Sequence, residues 1–397
     1  MSCKICKQNT KKIISFGRFP VSHKFKNKHQ KDIKNSLGLS ICKKCNLVQL
    51  QKLFPLKDLR PKFEWINYNE PEEHLDKLVK KIIKLKNINK NSIISGVSYK
   101  EKTTLDRFKK KGYRNIWSLN MKKDLNIKSS KFNLETIQDR IARADINKIL
   151  QKNKKSDVLI ARHILEHSYK TIQFINSLKK LINDNGYLIF EVPDCSEGLK
   201  NRDYTTIWEE HVLYFTKNSL KKLLKDQGLK VCYFEIYKYS YENVIIVIAK
   251  NDSNKFKLIK KNRNKTINTT YKSQINFTSK NLLSDRIKIR DKILNQRKNK
   301  FKICMFGTGH SACMFLNLLN IHDLIDIVID DDRNKTGYYL PNSKLKIQNS
   351  SILNELDKVM IILGVNSQSE KKVIEKLKKF NSKILLHSVY NKSKYSF

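Results

Sequence analysis

Residues 156–167 read SDVLIARHILEH, and this stretch decides the fold class. Residues 156–161 form a largely apolar run typical of a buried strand, and the run leads directly into a polar cluster at residues 162–167. In an open α/β sheet, ligands bind at the carboxyl ends of the strands. We therefore predict a sheet strand whose end carries functional side chains.

The segments on either side of this strand alternate between strand and helix patterns. Such alternation indicates a doubly wound, mostly parallel α/β sheet. The predicted strands cover residues 92–96, 115–119 and 187–192, the predicted helices cover 104–111, 169–182 and 217–227, and a closing hairpin covers 230–250.

The pattern restarts near residue 299 and predicts a second open α/β domain. Strands are expected at 302–306, 325–329 and 359–363, with the turn Gly307-Thr308-Gly309-His310 and a helix at 311–319 between the first two. We therefore predict four parts: a zinc-binding module at 1–75, a central sheet domain at 76–250, a helical connecting arm at 251–298 and a Rossmann-like domain at 299–397.

The composition limits the partners of the chain. Lys and Arg number 81 against 37 Asp and Glu, a formal net charge of +44. The lysines are spread over nearly every segment with Asn and Ile and do not form one stripe with aromatic residues, which argues against nucleic acid as a partner. No stretch approaches the roughly 20 apolar residues of a membrane span, and no signal peptide is apparent, so we expect no membrane partner and a cytoplasmic location.

Two cysteine pairs near the N-terminus predict a metal site. Cys3 and Cys6 form one C-x2-C pair, and Cys42 and Cys45 form the other. Four thiolates at this spacing match a closed tetrahedral shell, which leaves no open coordination position. We therefore predict a structural zinc ion.

The polar cluster after the strand at 156–161 contains His163, Glu166 and His167 in the spacing H-x-x-E-H. On a long helix this spacing places two histidines on a catalytic zinc ion, as in one class of metalloprotease. A strand that feeds directly into the motif argues against that interpretation. The alternative for His163 is a structural histidine at a strand–helix junction, whose ring has its hydrogen-bond partners and takes no part in function.

The loop at residues 203–216 carries a second candidate site. It contains Glu209, Glu210 and His211 among aromatic residues, next to the predicted strand ends. A histidine with a neighbouring carboxylate can act as a general base with an orienting partner. The alternative is that both glutamates are solvated and His211 caps the next helix.

Several strings taken together resemble a known family. They are the paired cysteines, ARHILEH, GYLIFEVPD, WEEHVLYFT, and FGTGHSACMFLNLL with VIDDDRNKTGYYLP. The combination is similar to the zinc-binding, class I C-methyltransferases that act on nucleotide-linked 4-keto-6-deoxy sugars, over essentially the whole chain. The resemblance implies a class I methyltransferase-like central sheet, S-adenosylmethionine as cofactor and a nucleotide sugar as substrate.

The resemblance also implies roles for individual residues. The methyl donor is expected near Gly96, Ser98 and Asn120, with Arg162 and His163 on its far side. The tyrosine-x-glutamate-histidine motif of the family falls on Trp208, Glu210 and His211, so His211 is expected to be the base and Glu210 its partner. His167 or Tyr68 is expected to hold the oxyanion of the enolate that forms. The zinc ion is expected to be structural.

This sequence departs from the family pattern in the cofactor turn, which has one glycine, Gly96, in place of a glycine-rich run.

Two other functions remain possible. A nicotinamide-dependent sugar-nucleotide dehydrogenase would use the turn at 307–310 and the acidic residues 330–332, although the third glycine of a dinucleotide fingerprint is missing. A zinc-ribbon protein that binds nucleic acid would leave WEEHVLYFT unexplained.

Overall fold

The computed structural model describes residues 1–28, 31–66, 70–240, 242–251 and 275–397. The strands of these residues form three sheets, with four, six and five strands. The predicted α/β class is confirmed, with two open, largely parallel sheets and a small antiparallel module before them. Tyr68 and residues 252–274 of the predicted connecting arm lie outside the described residues.

The N-terminal sheet is antiparallel, in the order β1-β2-β3-β8. Its last strand comes from the central part of the chain: Val48 pairs with Tyr214, and Gln49 pairs with Leu213. The module therefore completes its sheet with the segment that follows the loop at 203–216. Its elements are β1 (Thr10–Phe19), β2 (Asn35–Cys42), β3 (Val48–Leu50), α1 (Leu56–Leu59) and β8 (Leu213–Tyr214).

The central sheet has the order β5-β4-β6-β7-β10-β9, in which the first four strands are parallel and β10 is antiparallel to both of its neighbours. The register pairs Gly96 with Ser118 and with Ile160, and Arg162 with Glu191, so these residues share one edge. The strands are β4 (Ile94–Gly96), β5 (Ile116–Ser118), β6 (Ser156–Arg162), β7 (Ile182–Pro193), β9 (Leu229–Tyr237) and β10 (Val244–Asn251).

Helices cover both faces of the central sheet, as a doubly wound architecture requires. Three of them, α4 (Leu134–Arg143), α5 (Ile146–Lys152) and α7 (Ser196–Asn201), lie in segments for which the sequence predicts no element. The helices are α2 (Leu75–Ile82), α3 (Lys102–Lys110), α4 (Leu134–Arg143), α5 (Ile146–Lys152), α6 (Thr171–Lys180), α7 (Ser196–Asn201) and α8 (Lys217–Asp226).

The C-terminal sheet is parallel throughout, in the order β13-β12-β11-β14-β15. From β11 the connections run outward to β12 and β13 on one side, and the chain then returns to β14 and β15 on the other side of β11. Such a topological switch point leaves a crevice at the carboxyl ends of β11 and β14. Its elements, after α9 (Ser279–Lys298), are β11 (Lys302–Phe306), α10 (His310–Leu319), β12 (Ile327–Ile329), β13 (Ile347–Gln348), β14 (Val359–Leu363), α11 (Ser367–Phe380) and β15 (Ile384–Ser388).

Hydrophobic packing joins the parts into one body. A single buried cluster contains Leu37 and Phe54 of the N-terminal module, Tyr214 of β8, and Phe315 and Tyr390 of the C-terminal part. Apolar burial of this kind supplies most of the stabilisation of a fold. The loop at 203–216 is therefore held between two other parts of the chain.

No helix among the described residues is both long and apolar enough to span a membrane.

Candidate functional site

The four N-terminal cysteines converge on one point. Their sulfur atoms lie 3.6 Å apart for Cys3 and Cys45, 3.3 Å for Cys6 and Cys42, and 3.8 Å for Cys6 and Cys45. Tetrahedral zinc with Zn–S bonds of about 2.3 Å separates its sulfurs by roughly 3.8 Å, whereas a disulfide holds them about 2.05 Å apart. The thiols are free, and the cluster fits a structural zinc ion.

The loop at 203–216 is braced by Tyr214 at its end. The Tyr214 hydroxyl accepts a hydrogen bond from the Trp208 backbone N–H at 3.0 Å and donates one to the Trp208 carbonyl at 2.9 Å. The Leu50 N–H, at the end of β3, donates to the Val212 carbonyl at 3.0 Å. These bonds fix the residues between Trp208 and Val212 against the N-terminal module.

Both glutamates of the loop are buried against that module. The backbone N–H and the hydroxyl of Ser22 donate to Glu209 at 2.6 and 2.8 Å, and His23 Nδ1 lies 3.2 Å from Glu210. Burial and the Glu210 charge raise the pKa of Glu209 to about 7. The alternative of solvated glutamates is therefore wrong.

The Glu210 side chain pairs with His23 and not, among the described residues, with His211. Its pKa is raised by burial and by the Glu135 charge, and the contact with His23 opposes that rise. The next helix, α8, is capped by Thr216, so His211 does not have the capping role considered as an alternative.

His211 lies buried at the centre of the loop, and its ring makes no hydrogen bond to any residue that the structure describes. Its ring centre is 4.9 Å from that of His167 and 4.7 Å from that of Trp208. Burial, and then the charge of His167, hold the pKa of His211 well below its usual value. The ring is therefore neutral at pH 7.

His167 has the opposite protonation state. Burial alone would lower its pKa, but the Glu135 carboxylate, hydrogen-bonded to Nδ1, raises the pKa of His167 to about 9. A protonated and a neutral imidazole thus stand in contact. Titratable neighbours whose pKa values are driven apart are the usual arrangement of an acid and a base.

The raised pKa of His167 predicts a pH-dependent contribution to stability. The folded-state pKa lies above the unfolded value of 6.5, so the contribution is complete below pH 6.5 and is lost as the pH rises through about 9. We expect the free energy of unfolding in urea, measured between pH 6 and 10, to be about 3 kcal/mol higher for the wild type than for His167→Gln at pH 6. This difference should shrink as the pH rises. A difference independent of pH would contradict this assignment.

The segment after β6 is not helical. His163 adopts a left-handed conformation with φ of 47°, and its Nε2 lies 2.8 Å from Glu191, which also forms an ion pair with Arg162 Nε at 2.5 Å. The H-x-x-E-H metalloprotease interpretation needs a helix here, and residues 163–167 form none. Glu166 is buried, and neither of its carboxylate oxygens has a hydrogen-bond partner among the described residues.

The structure brings together only some of the residues that were predicted to bind the methyl donor. Gly96, Ser98, Arg162 and His163 surround the ends of β4 and β6, but Asn120 lies on the surface and accepts hydrogen bonds from Lys122 and Lys123 of its own turn. The side chains of Ser98, Arg162 and His163 already have protein partners.

Two cavities meet at the loop. The larger has a volume of about 360 Å³ and the smaller about 60 Å³, and His23, Trp208 and His211 line both. The larger cavity is shared by all three parts of the chain: its walls include Ser22 and Trp65 of the module, Thr205 of the loop, and Gly309, His310, Lys335 and Asn366 of the C-terminal part.

The smaller cavity is the one at the predicted donor site, because Tyr99, Lys100 and His163 line it. Its volume of about 60 Å³ is far below the roughly 300–1,000 Å³ that is typical of small-molecule sites. S-adenosylmethionine is far larger, so the residues of this turn do not fit the cofactor in the conformation described.

The turn at 307–310 of the C-terminal part is hydrogen-bonded to Asp330, the first of the acidic residues at 330–332. The N–H and the hydroxyl of Thr308 donate to Asp330 at 2.9 and 2.6 Å, and Lys335 Nζ donates at 2.9 Å. In a dinucleotide site this position serves the ribose. The carboxylate that a dehydrogenase needs is thus engaged elsewhere.

Several residues of the site were missed by the sequence analysis. Glu135 lies on α4, an element that was not predicted, and His23 lies in a segment without a recognisable motif. Glu191 could have been found, because a glutamate inside the apolar strand GYLIFEVPD must be paired when buried. Tyr68 lies outside the described residues.

Comparison with known proteins finds two matching family models. Residues 89–233 match the model of a methyltransferase domain, and residues 249–384 match that of a C-methyltransferase C-terminal domain. C-methyltransferase NovU of Streptomyces niveus is 21% identical over 235 residues, which cover 58% of this chain and 56% of NovU. The match thus spans little more than half of that relative's length.

Two solved structures are also similar. A 1,6-didemethyltoxoflavin-N1-methyltransferase of Burkholderia thailandensis has 9% identity and a TM-score of 0.30, over 45% of this chain and 76% of its own. A SAM-dependent methyltransferase of Aquifex aeolicus has 14% identity and a TM-score of 0.29, over 45% and 93%. Likenesses at this TM-score carry no argument about function.

Proposed function

We infer that this chain, a divergent member of the C-methyltransferase family, transfers a methyl group to a carbon atom next to the ketone of a nucleotide-linked keto-deoxysugar. The family relationship supports S-adenosylmethionine as the source of that methyl group. The observation that carries the proposal is the position of His211, whose ring makes no hydrogen bond to a described residue, beside His167 at the meeting point of two cavities. The pKa of His211 is lowered and the pKa of His167 is raised, as expected of a base and an acid.

The proposed chemistry begins with proton removal. A carbon next to a ketone is weakly acidic, and its enolate needs a base and a donor for the developing oxyanion. The neutral His211 accepts the proton, and the protonated His167 donates to the oxygen. Glu135 keeps His167 protonated through the Nδ1 contact. We keep Tyr68 as a second candidate for the oxyanion.

Glu210 has a different proposed role from the one inferred from the sequence. Because it pairs with His23 at 3.2 Å, it ties the loop that carries His211 to the N-terminal module. The module, and the zinc ion we propose for its four cysteines, then act at a distance by holding this loop. The zinc ion takes no part in the chemistry.

The larger cavity is the proposed substrate site. Its volume of about 360 Å³ lies within the range of roughly 300–1,000 Å³ typical of small-molecule sites. Gly309 caps the N-terminus of α10, where the helix dipole favours a negative group. Lys335, whose ammonium group pairs with Asp330, and Asp332 also line the cavity. An anionic nucleotide sugar matches this wall, and the net charge of +44 attracts it.

Gly309 offers a test of the substrate site. A Cβ added at Gly309 meets no atom within 4 Å, and its φ of −70° suits any residue. Gly309→Leu should therefore fold normally, place its side chain in the cavity and raise KM by about tenfold, a cost of about 1.4 kcal/mol. Gly309→Ala is the matched control and should have a smaller effect. Equal kinetics for all three proteins would exclude this wall as the binding surface.

The direct test of the proposed function is a transfer assay. Zinc-loaded protein is incubated with S-adenosylmethionine and a nucleotide-linked 4-keto-6-deoxy sugar, and the product is analysed by mass spectrometry. A sugar that gains one methyl group on carbon supports the proposal. No transfer to any keto-sugar nucleotide, together with no hydrogen exchange at the carbon next to the ketone, would overturn it.

A further inference from the structure

The turn after β4, where the methyl donor is expected to bind, contains the buried side chain of Glu101. We propose that Glu101 occupies this turn as an internal ligand, and that S-adenosylmethionine binds only when Glu101 leaves. The proposal rests on the proposed function, because it concerns the donor of that reaction.

The carboxylate of Glu101 takes up the hydrogen-bond donors of the turn. One oxygen accepts from the Ser98 N–H at 2.6 Å and from the Ser98 hydroxyl at 2.9 Å, and the other accepts from the Arg162 N–H at 2.7 Å. The side chain is fully buried. Ser98 and Glu101 form a capping box at the start of the helix that follows β4, and this strand end is where open α/β sheets bind their ligands. Here three donors serve a carboxylate of the protein.

Gly96 shows how close the side chain lies to the strand end. A Cβ built on Gly96 would stand 2.8 Å from Cβ of Glu101, closer than real Cβ atoms approach, and 3.2 Å from its Cγ. The single glycine of the turn therefore makes room for Glu101. The resemblance places the methyl donor near this same glycine.

Arg162 closes the turn from the other side. Its Nη1 donates to the Lys100 carbonyl at 2.8 Å, and its Nε forms an ion pair with Glu191 of β7 at 2.5 Å. Glu191 is completely buried and also faces His74 at 3.3 Å. The turn is thus tied to β6 and β7 by buried charges, and the cavity left beside it has a volume of about 60 Å³.

The test measures donor affinity by isothermal titration calorimetry with S-adenosylmethionine and S-adenosylhomocysteine. Glu101→Ala removes the carboxylate and should bind both at least tenfold more tightly than wild type. Glu101→Gln keeps the shape of the side chain but not its charge and should give an intermediate affinity, which guards against misfolding of the alanine variant. Glu375→Ala removes an equal charge from the exposed face of α11 and should behave as wild type.

The outcomes separate this inference from the proposed function. Tight binding by wild type that neither Glu101 variant changes would overturn the internal-ligand proposal and leave the methyltransferase standing. Weak binding by wild type that both variants strengthen supports it. Absence of binding to every folded variant would overturn it as well. Solvent-deuterium exchange into the sugar needs no donor, so it tests the rest of the proposed function separately.

Discussion

Replacement of His211 by alanine is expected to slow solvent-deuterium exchange at the carbon next to the substrate ketone by roughly 10²–10⁴-fold, the usual contribution of a positioned general base. His211 is the buried imidazole whose pKa is held well below its usual value, so it is already deprotonated at neutral pH. Its ring faces both cavities and makes no hydrogen bond among the described residues. Loss of this ring removes the proposed proton acceptor.

The measurement is NMR of the keto-sugar nucleotide in deuterated buffer, without methyl donor. His211→Asn is included as a variant that keeps a polar side chain without an equivalent base, and it should be as slow as the alanine variant. His322→Ala is the matched control, because His322 lies in the C-terminal part away from both cavities. Exchange at the wild-type rate in His211→Ala would remove His211 from the mechanism.

Cys42→Ser is expected to release the zinc ion and to unfold the N-terminal module. Structural zinc contributes roughly 10–16 kcal/mol to the folding of zinc-finger peptides, so loss of one of four ligands should cost several kcal/mol. Unfolding of the module should also disturb the loop at 203–216, because β3 of the module pairs with β8. In addition, Ser22 contacts Glu209, and His23 contacts Glu210. Zinc content should fall from one equivalent towards none, and activity should fall with it.

Metal analysis and limited proteolysis of the purified protein test this expectation. Cys232→Ser is the matched control, since Cys232 is exposed and stands apart from the cysteine cluster. It should keep its zinc and its resistance to protease. If Cys42→Ser also keeps a full equivalent of zinc and resists protease, the cluster is not a structural zinc site.

The sequence predicted the elements around the site more reliably than the contacts within it. Residues 302–306 and 359–363 are strands with the predicted bounds, and the strand at 156–161 extends by one residue. Alternating apolar segments are local features, so they can be read from the chain. The pairing of Glu210 with His23 was missed because nothing local marks His23 as its partner.

The sequence alone determined the α/β class and the cysteine pairs and drew attention to the loop around His211, because each depends on the spacing of nearby residues. Only the tertiary structure decided how the charged groups are paired. Ser22 and Glu209 are 187 positions apart, and Glu101 and Arg162 are 61 apart. A buried charge must find a partner to offset its desolvation, and the folded packing of three parts of the chain determines which partner is within reach. For the same reason, only the structure shows that Glu101 fills the turn at which the methyl donor was expected.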